Sequence, residues 1–375
     1  MIRSLFGIGQ NKMDREACVQ EAVKDFRNPK IIFFFSDEKH FPEYAGLIHE
    51  RFPDAVSIGC SSYRFWAGPN AGVGELTVTA IEEGISCSAG VIEKADSFAL
   101  DYMDNVQQSL DQISDKNNTV CVEFTSASRQ AEEYALMTLN SVLLRHNIPI
   151  VGGSSANSGA GADMLQEAYI ALNGKVYTEG CVFVLIHNEA GAVHMFRENI
   201  YVPRTGREFL VTKANSHSRT IMQYDDETAL SVYASELGIP MEDADKYFFH
   251  HPLGRHVGDE TYLTAIQSSN SNQSLKLHAR VHEGTKMMVM QVGDYREIVH
   301  RTVDDIKRTI PNPALVICIH CVARVVFLES ENYLEEYRKL LAGAFPNSIH
   351  VSCLGEQFGT GNFNHTLMIL VLAEE

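Results

Sequence analysis

Ile31-Ile-Phe-Phe-Phe35, then Phe41–Arg51, then Ala55-Val-Ser-Ile-Gly-Cys-Ser-Ser62 set out the unit from which most of the chain is built. Its first run is apolar throughout, as expected of a strand covered on both faces. The middle segment has amphipathic helical spacing, and the last is a second strand that runs into small residues. A third strand, Glu75–Ile81, follows a Gly-rich stretch. The same order occurs twice more. Thr119–Phe124, Ala131–His146, Ile148-Pro-Ile-Val-Gly-Gly-Ser-Ser155 and Cys181–Ile186 form the second copy. Ala314–Ile319, Asn332–Ala344, Ser348-Ile-His-Val-Ser-Cys-Leu-Gly355 and Thr366–Leu372 form the third. Even the joint between helix and strand recurs, as Phe52-Pro-Asp54 and Phe345-Pro-Asn347. Continuous apolar strands alternating with helices predict parallel β-α-β pairs, with an antiparallel third strand in each copy. The expected class is α/β (mixed α+β): two domains of repeated β-α-β-β units whose mixed sheets are covered by helices.

Outside the repeats, Lys286–Val292 reads as a strand and Tyr295–Thr309 as a helix, stopped by Pro311 and Pro313. A helix over Glu227–Leu237 ends at Gly238-Ile-Pro240. Ser268–Ser274 reads as a hairpin tip or an exposed loop between strand-like flanks. The polar, Pro- and Gly-punctuated region Tyr201–Asp226 holds the expected boundary. This gives an amino-terminal extension with a helix (1–28), a first domain (29–222) and a second (223–375).

The chain has 375 residues, 45% of them hydrophobic, which is ordinary globular composition. With 48 acidic against 31 basic residues, the net charge of −17 disfavours phosphate backbones and anionic lipid as partners. No run approaches the ~18 apolar residues of a membrane span. Eight cysteines scattered through a chain this large suit a reducing compartment, so a cytoplasmic location is expected.

In parallel α/β units ligands gather beyond the carboxyl ends of the strands. That rule selects the loops at Ser36-Asp37, Gly59–Ser62, Thr125-Ser126, Gly152–Ser155, Cys321–Arg324 and Gly355-Glu356. None is a phosphate loop, and Gly152–Gly159 lacks the spacing of a dinucleotide fingerprint. Arg324 follows an apolar strand, where an isolated guanidinium needs an anionic partner or ligand. Glu356 is its natural counterpart, Asn364 and Thr366 complete a polar cluster, and Cys321 lines it. For an amino-acid ligand, Arg324 would take the carboxylate and Glu356 the ammonium. No metal site is expected: Cys318 and Cys321 point to opposite faces of a strand, and no second Cys-x-x-Cys exists. His250, His251 and His256 lack the helical spacing of a metalloprotease. One histidine suffices as an axial haem ligand, and fifteen are present, so no cofactor is assigned and haem stays open. A thiol enzyme using Cys321 or Cys353 is the remaining alternative; the chain is otherwise read as a non-enzyme.

Several carboxy-terminal motifs carry a family resemblance. They are Asp226–Gly238, Phe249-His-His-Pro-Leu-Gly254, Gly258–Thr264, Val281-His-Glu-Gly284, Cys321-Val-Ala-Arg324, Gly355-Glu356 and Asn364-His-Thr366. Their order resembles that of the FIST carboxy-terminal domain. Ser57–Ser62, Val151-Gly-Gly-Ser154, Leu172-Asn-Gly174, Glu179–Val184 and Val211-Thr-Lys213 resemble the FIST amino-terminal domain. The resemblance implies a sensory module of intracellular signal transduction that binds a small molecule, an amino acid or similar. It also implies a signalling partner such as a histidine kinase, a chemotaxis receptor or a cyclic-di-GMP enzyme. A branch of the family resembles haem-binding nitric-oxide sensors that regulate a histidine kinase, which gives the alternative function. Ser61-Ser-Tyr-Arg-Phe-Trp66 departs from the family's usual small-residue continuation, and Asp225-Asp226-Glu227 stands where Asp-Gly is more usual.

Overall fold

The computed structural model describes residues 1–96, 100–159, 167–258 and 260–374. Asp259, inside the Gly258–Thr264 motif, lies outside them. The chain divides into two compact units: Met1–Arg197 with Val303–Asn362 and Leu367–Glu375, and Glu198–Thr302 with Phe363–Thr366. Residue 222 falls within the strand Thr220–Tyr224, so this division follows a different line from the boundary expected there.

All three repeats belong to the first unit, save Thr366 at the start of the last strand, which falls in the second. In the first, Ile31–Ser36 pairs in parallel with Val56–Ser61 across the helix Phe41–Arg51, and antiparallel with Leu76–Glu83. In the second, Thr119–Thr125 takes Ile150–Ser154 as parallel and Cys181–Asn188 as antiparallel neighbour. In the third, Pro313–Cys321 lies between Ser348–Cys353 and Thr366–Ala373 in the same way. Every residue of Ile31–Ser36 and of Thr119–Thr125 is buried, which is why neither shows the alternation of a half-exposed strand. Among the described residues the unit holds three sheets, of six, six and five strands. One edge strand of the first is Arg3–Gly9, paired with Leu76–Glu83, so the amino-terminal segment contributes more than the expected helix, here Arg15–Ala22.

The repeats exchange strands in a closed circuit. Beyond its second strand, each sends a short strand to the sheet of another. Phe65–Ala67 leaves the first repeat and pairs with Ser348–Cys353 of the third. Glu356–Phe358 leaves the third and pairs with Ile150–Ser154 of the second. Ile170–Leu172 leaves the second and pairs with Val56–Ser61 of the first. Each second strand thereby gains a neighbour on the side its own repeat leaves bare.

The third repeat differs from expectation in having two helices, Val322–Ser330 and Leu334–Ala344, where only the latter is legible. Val322-Ala-Arg-Val-Val-Phe-Leu is rich in β-branched residues, which lowers helix propensity. Burial of Val322, Arg324, Val325, Phe327 and Leu328 sets the outcome instead. Elsewhere the punctuation holds: the helix Ala229–Leu237 ends on Gly238 in the left-handed region (φ 71°), and a hairpin joins Ile266–Ser269 to Leu275–Leu277. In the second unit the hairpin belongs, among the described residues, to a nine-stranded sheet, and the helix packs into a core that includes Phe209, Tyr224, Tyr233, Leu253 and Met287.

Candidate functional site

The strand-end loops of the first unit do converge, and they satisfy one another. Ser62 Oγ donates to the Ser352 carbonyl at 2.8 Å, and Ser61 Oγ donates to the Ala156 carbonyl at 2.7 Å. The Ser154 N–H donates to the Gly355 carbonyl, and the Leu354 N–H donates back to the Ser154 carbonyl. Small residues sit here because the chain crosses from one sheet to the next in tight quarters. Much of the polar surface of these loops is committed to that crossing.

Beside this junction, within the same unit, lies a pocket of about 440 Å³. Its walls include Asp37, Tyr63, Arg64, Trp66, Glu329 and Arg338. All but Asp37 come from the two places where the third repeat meets the segment that the first repeat gives it, Tyr63 and Arg64 against Glu329 and Trp66 against Arg338. Glu329 is the hub: it accepts from Tyr63 Oη at 2.8 Å and from Arg64 Nε at 2.9 Å. The Arg64 guanidinium also lies 4.1 Å from the centre of the Tyr63 ring. Burial, then the Glu329 carboxylate, pushes the Tyr63 hydroxyl upward, so it stays a hydrogen-bond donor. Arg338 lies 5.6 Å over the Trp66 ring, pairs with Glu335 at 3.1 Å and donates to the Ala71 carbonyl. Across the pocket, burial and the neighbouring Glu38 raise the Asp37 carboxyl above its ordinary range.

Two donors in these walls have no acceptor among the described residues: Trp66 Nε1 and Arg338 Nε, both buried. A buried donor without an acceptor costs about 1–3 kcal/mol. With Arg64 and Arg338 present, the pocket suits a ligand carrying a carboxylate or similar acceptor, with an aromatic wall for its apolar part.

The five residues singled out in the sequence fall in two places. Arg324, Glu356 and Cys321 belong to the first unit, and Asn364 and Thr366 to the second. Arg324 and Glu356 are fully buried. The Arg324 guanidinium lies 5.6 Å from the Tyr337 ring, which meets His320 edge-on at 5.8 Å; His320 in turn packs against Trp66 at 4.9 Å. Arg324 therefore stands behind the pocket wall rather than in it. Glu356 pairs with Gly153 on the exchanged strand, and Cys321 sits in register with Cys353. In the second unit, Asn364 Oδ1 accepts from the Ala265 N–H at 3.0 Å.

Among the described residues the lining of the 440 Å³ pocket includes no histidine. Burial pushes the Cys353 thiol well up, the opposite of what a nucleophile needs. None of the eight cysteines is in a disulfide. The pocket residues that sequence reasoning passed over, Arg64 and Trp66, lie in the very segment that departs from the family pattern, Ser61–Trp66. That departure was their signal. Arg338 had none, since an arginine on an amphipathic helix reads as a solvated face.

Two family matches cover most of the chain: the FIST N domain over residues 30–227 and the FIST C domain over residues 229–359. FIST domains are sensory domains associated with signal transduction. No curated protein matches the chain. Among the described residues no helix is long and apolar enough to cross a membrane.

Proposed function

Because the chain belongs to the FIST family, we propose that it is a sensory protein of signal transduction that binds a small carboxylate-bearing ligand, an amino acid or similar. The observation that carries this reading is the placing of two guanidinium groups, Arg64 and Arg338, beside the Trp66 ring in the walls of the 440 Å³ pocket. In this reading Arg64 and Arg338 take the carboxylate, and Asp37, across the pocket, takes the ammonium. Arg324 acts from behind the wall, holding Tyr337 and through it the Trp66 layer. Cytoplasmic location and transfer of the signal to a separate protein, such as a histidine kinase, belong to the same proposal. A ligand acts here only through its differential affinity for two arrangements of the chain.

The test is a thermal-shift screen of the amino acids and short dicarboxylates. A ligand at a hundred times its Kd stabilises the folded chain by about 2.7 kcal/mol, a shift of several degrees. We expect such a ligand to lose its effect in Arg338→Gln and in Arg64→Gln, and to keep part of it in Arg324→Lys. A hit indifferent to both pocket substitutions removes the ligand from this pocket, and a screen with no hit removes the amino-acid class.

A further inference from the structure

Behind the pocket wall, one face of the third sheet carries polar residues in a buried row. Trp66 is in register with His350, and His350 with Cys318, across three neighbouring strands. His320 is two residues beyond Cys318 and Ser348 two residues before His350, so all five side chains share that face. Cys318, His320 and His350 are each fully buried. One donor atom from each lies within 4.8 Å of the others. The two imidazoles face each other, His320 Nε2 to His350 Nδ1, at 3.1 Å. Their outer nitrogens meet oxygens: His350 Nε2 lies 2.9 Å from Ser348 Oγ, and His320 Nδ1 lies 3.4 Å from Tyr337 Oη.

We propose that Cys318, His320 and His350 form a binding site for a soft, low-coordinate metal ion of the monovalent copper class. With the ion bound, both rings would turn their lone pairs inward and donate their outer N–H to Ser348 Oγ and Tyr337 Oη, the arrangement that fixes a metal-binding imidazole. A thiolate and two imidazoles match a soft monovalent ion, and three donors suffice for it, whereas a structural zinc site takes four. The charge also fits: one thiolate and one monovalent cation leave the fully buried site neutral. A divalent ion would add a net positive charge close to Arg324 and Arg338, the cations that face the two rings. On binding, the S–H bond of Cys318 breaks, a sulfur–metal bond forms, and the proton passes to solvent. This site is separate from the ligand pocket and does not depend on it.

The chain contains a single tryptophan, Trp66, stacked on His350 at 4.7 Å and 11°, which makes it a built-in reporter. The test titrates reduced, full-length protein with monovalent copper supplied as its bicinchoninate complex. We expect one equivalent to be withdrawn from the complex, with Trp66 fluorescence reduced at least twofold. Cys318→Ser should lose that equivalent and the quenching; Cys87→Ser, at the partly exposed cysteine, should keep both. If Cys318→Ser does not fold, His350→Gln takes its place. Unchanged fluorescence in the wild type overturns the proposal, since a hydrogen-bonded chain from Tyr337 to Ser348 then accounts for the same distances. Retention of the equivalent in Cys318→Ser overturns it too, as does preferential loading by zinc.

Discussion

Glu123 ties the interior of the first unit to pH. It is fully buried in the middle strand of the second repeat, where Thr125 Oγ1 and Cys181 Sγ donate to its carboxyl at 2.8 and 3.2 Å. Burial outweighs those two donors and pushes it up to about 8 from an ordinary 4.5. Between those two values the folded chain keeps a proton that the unfolded chain has lost. The associated stability is therefore fully present below about 4.5 and is lost as pH rises through about 8. Glu123→Gln keeps the shape and removes the titration. We expect melting curves of wild type and variant to coincide near pH 5, and the variant to melt several degrees higher at pH 8. Equal melting temperatures at both pH values would show that Glu123 ionises normally. At this scale the sequence was partly legible. Arg324 was conspicuous because a guanidinium beside an apolar strand must be accounted for, yet its place on a helix behind Tyr337 was not. The sequence of residues 322–328 favours an extended chain, and only tertiary burial overrides it.

At the scale of elements, the glycines at the strand ends divide into two kinds. A Cβ on Gly59 would stand 2.0 Å from the Phe34 carbonyl oxygen, and one on Gly153 would stand 2.5 Å from Cys353 Sγ. At Gly59 the obstacle is backbone, which has nowhere to go. We expect Gly59→Ala to cost about 3 kcal/mol or more, read as a shift in the denaturant midpoint at constant slope. Gly46, inside the helix Phe41–Arg51, has nothing within 4 Å, and Gly46→Ala should stabilise by roughly 0.5–1 kcal/mol. Opposite signs from one substitution type are the prediction; a loss at both positions contradicts it. The repeats themselves were legible because buried strands announce themselves as unbroken apolar runs. The short exchanged strands were not. Phe65–Ala67 and Glu356–Phe358 are three residues each, too short for a period, and their partners lie hundreds of residues away. The histidine cluster was hidden for a different reason: Cys318 and His350 are on separate strands and meet only through strand register.

For the whole molecule, the two family matches meet between residues 227 and 229, while the first compact unit draws on segments from both sides of that point. Cutting the chain at 228 removes the third repeat from the unit that contains the other two. We expect residues 1–228, produced alone, to be insoluble or to lack a cooperative melt, and co-production with 229–375 to restore one. A fragment 1–228 that melts cooperatively near the wild-type temperature would refute this.

The circuit of exchanged strands sets a rule about number. An open stack of repeats lengthens or shortens by whole modules, because each touches only the one before and the one after. Here the giving of strands runs from first to third, third to second and second back to first, so every module is both donor and host. Excising one orphans a strand in one survivor and bares a sheet margin in the other; duplicating one leaves a donor with no host. Such a fold is free to drift in composition, module by module, while its count of three stays locked.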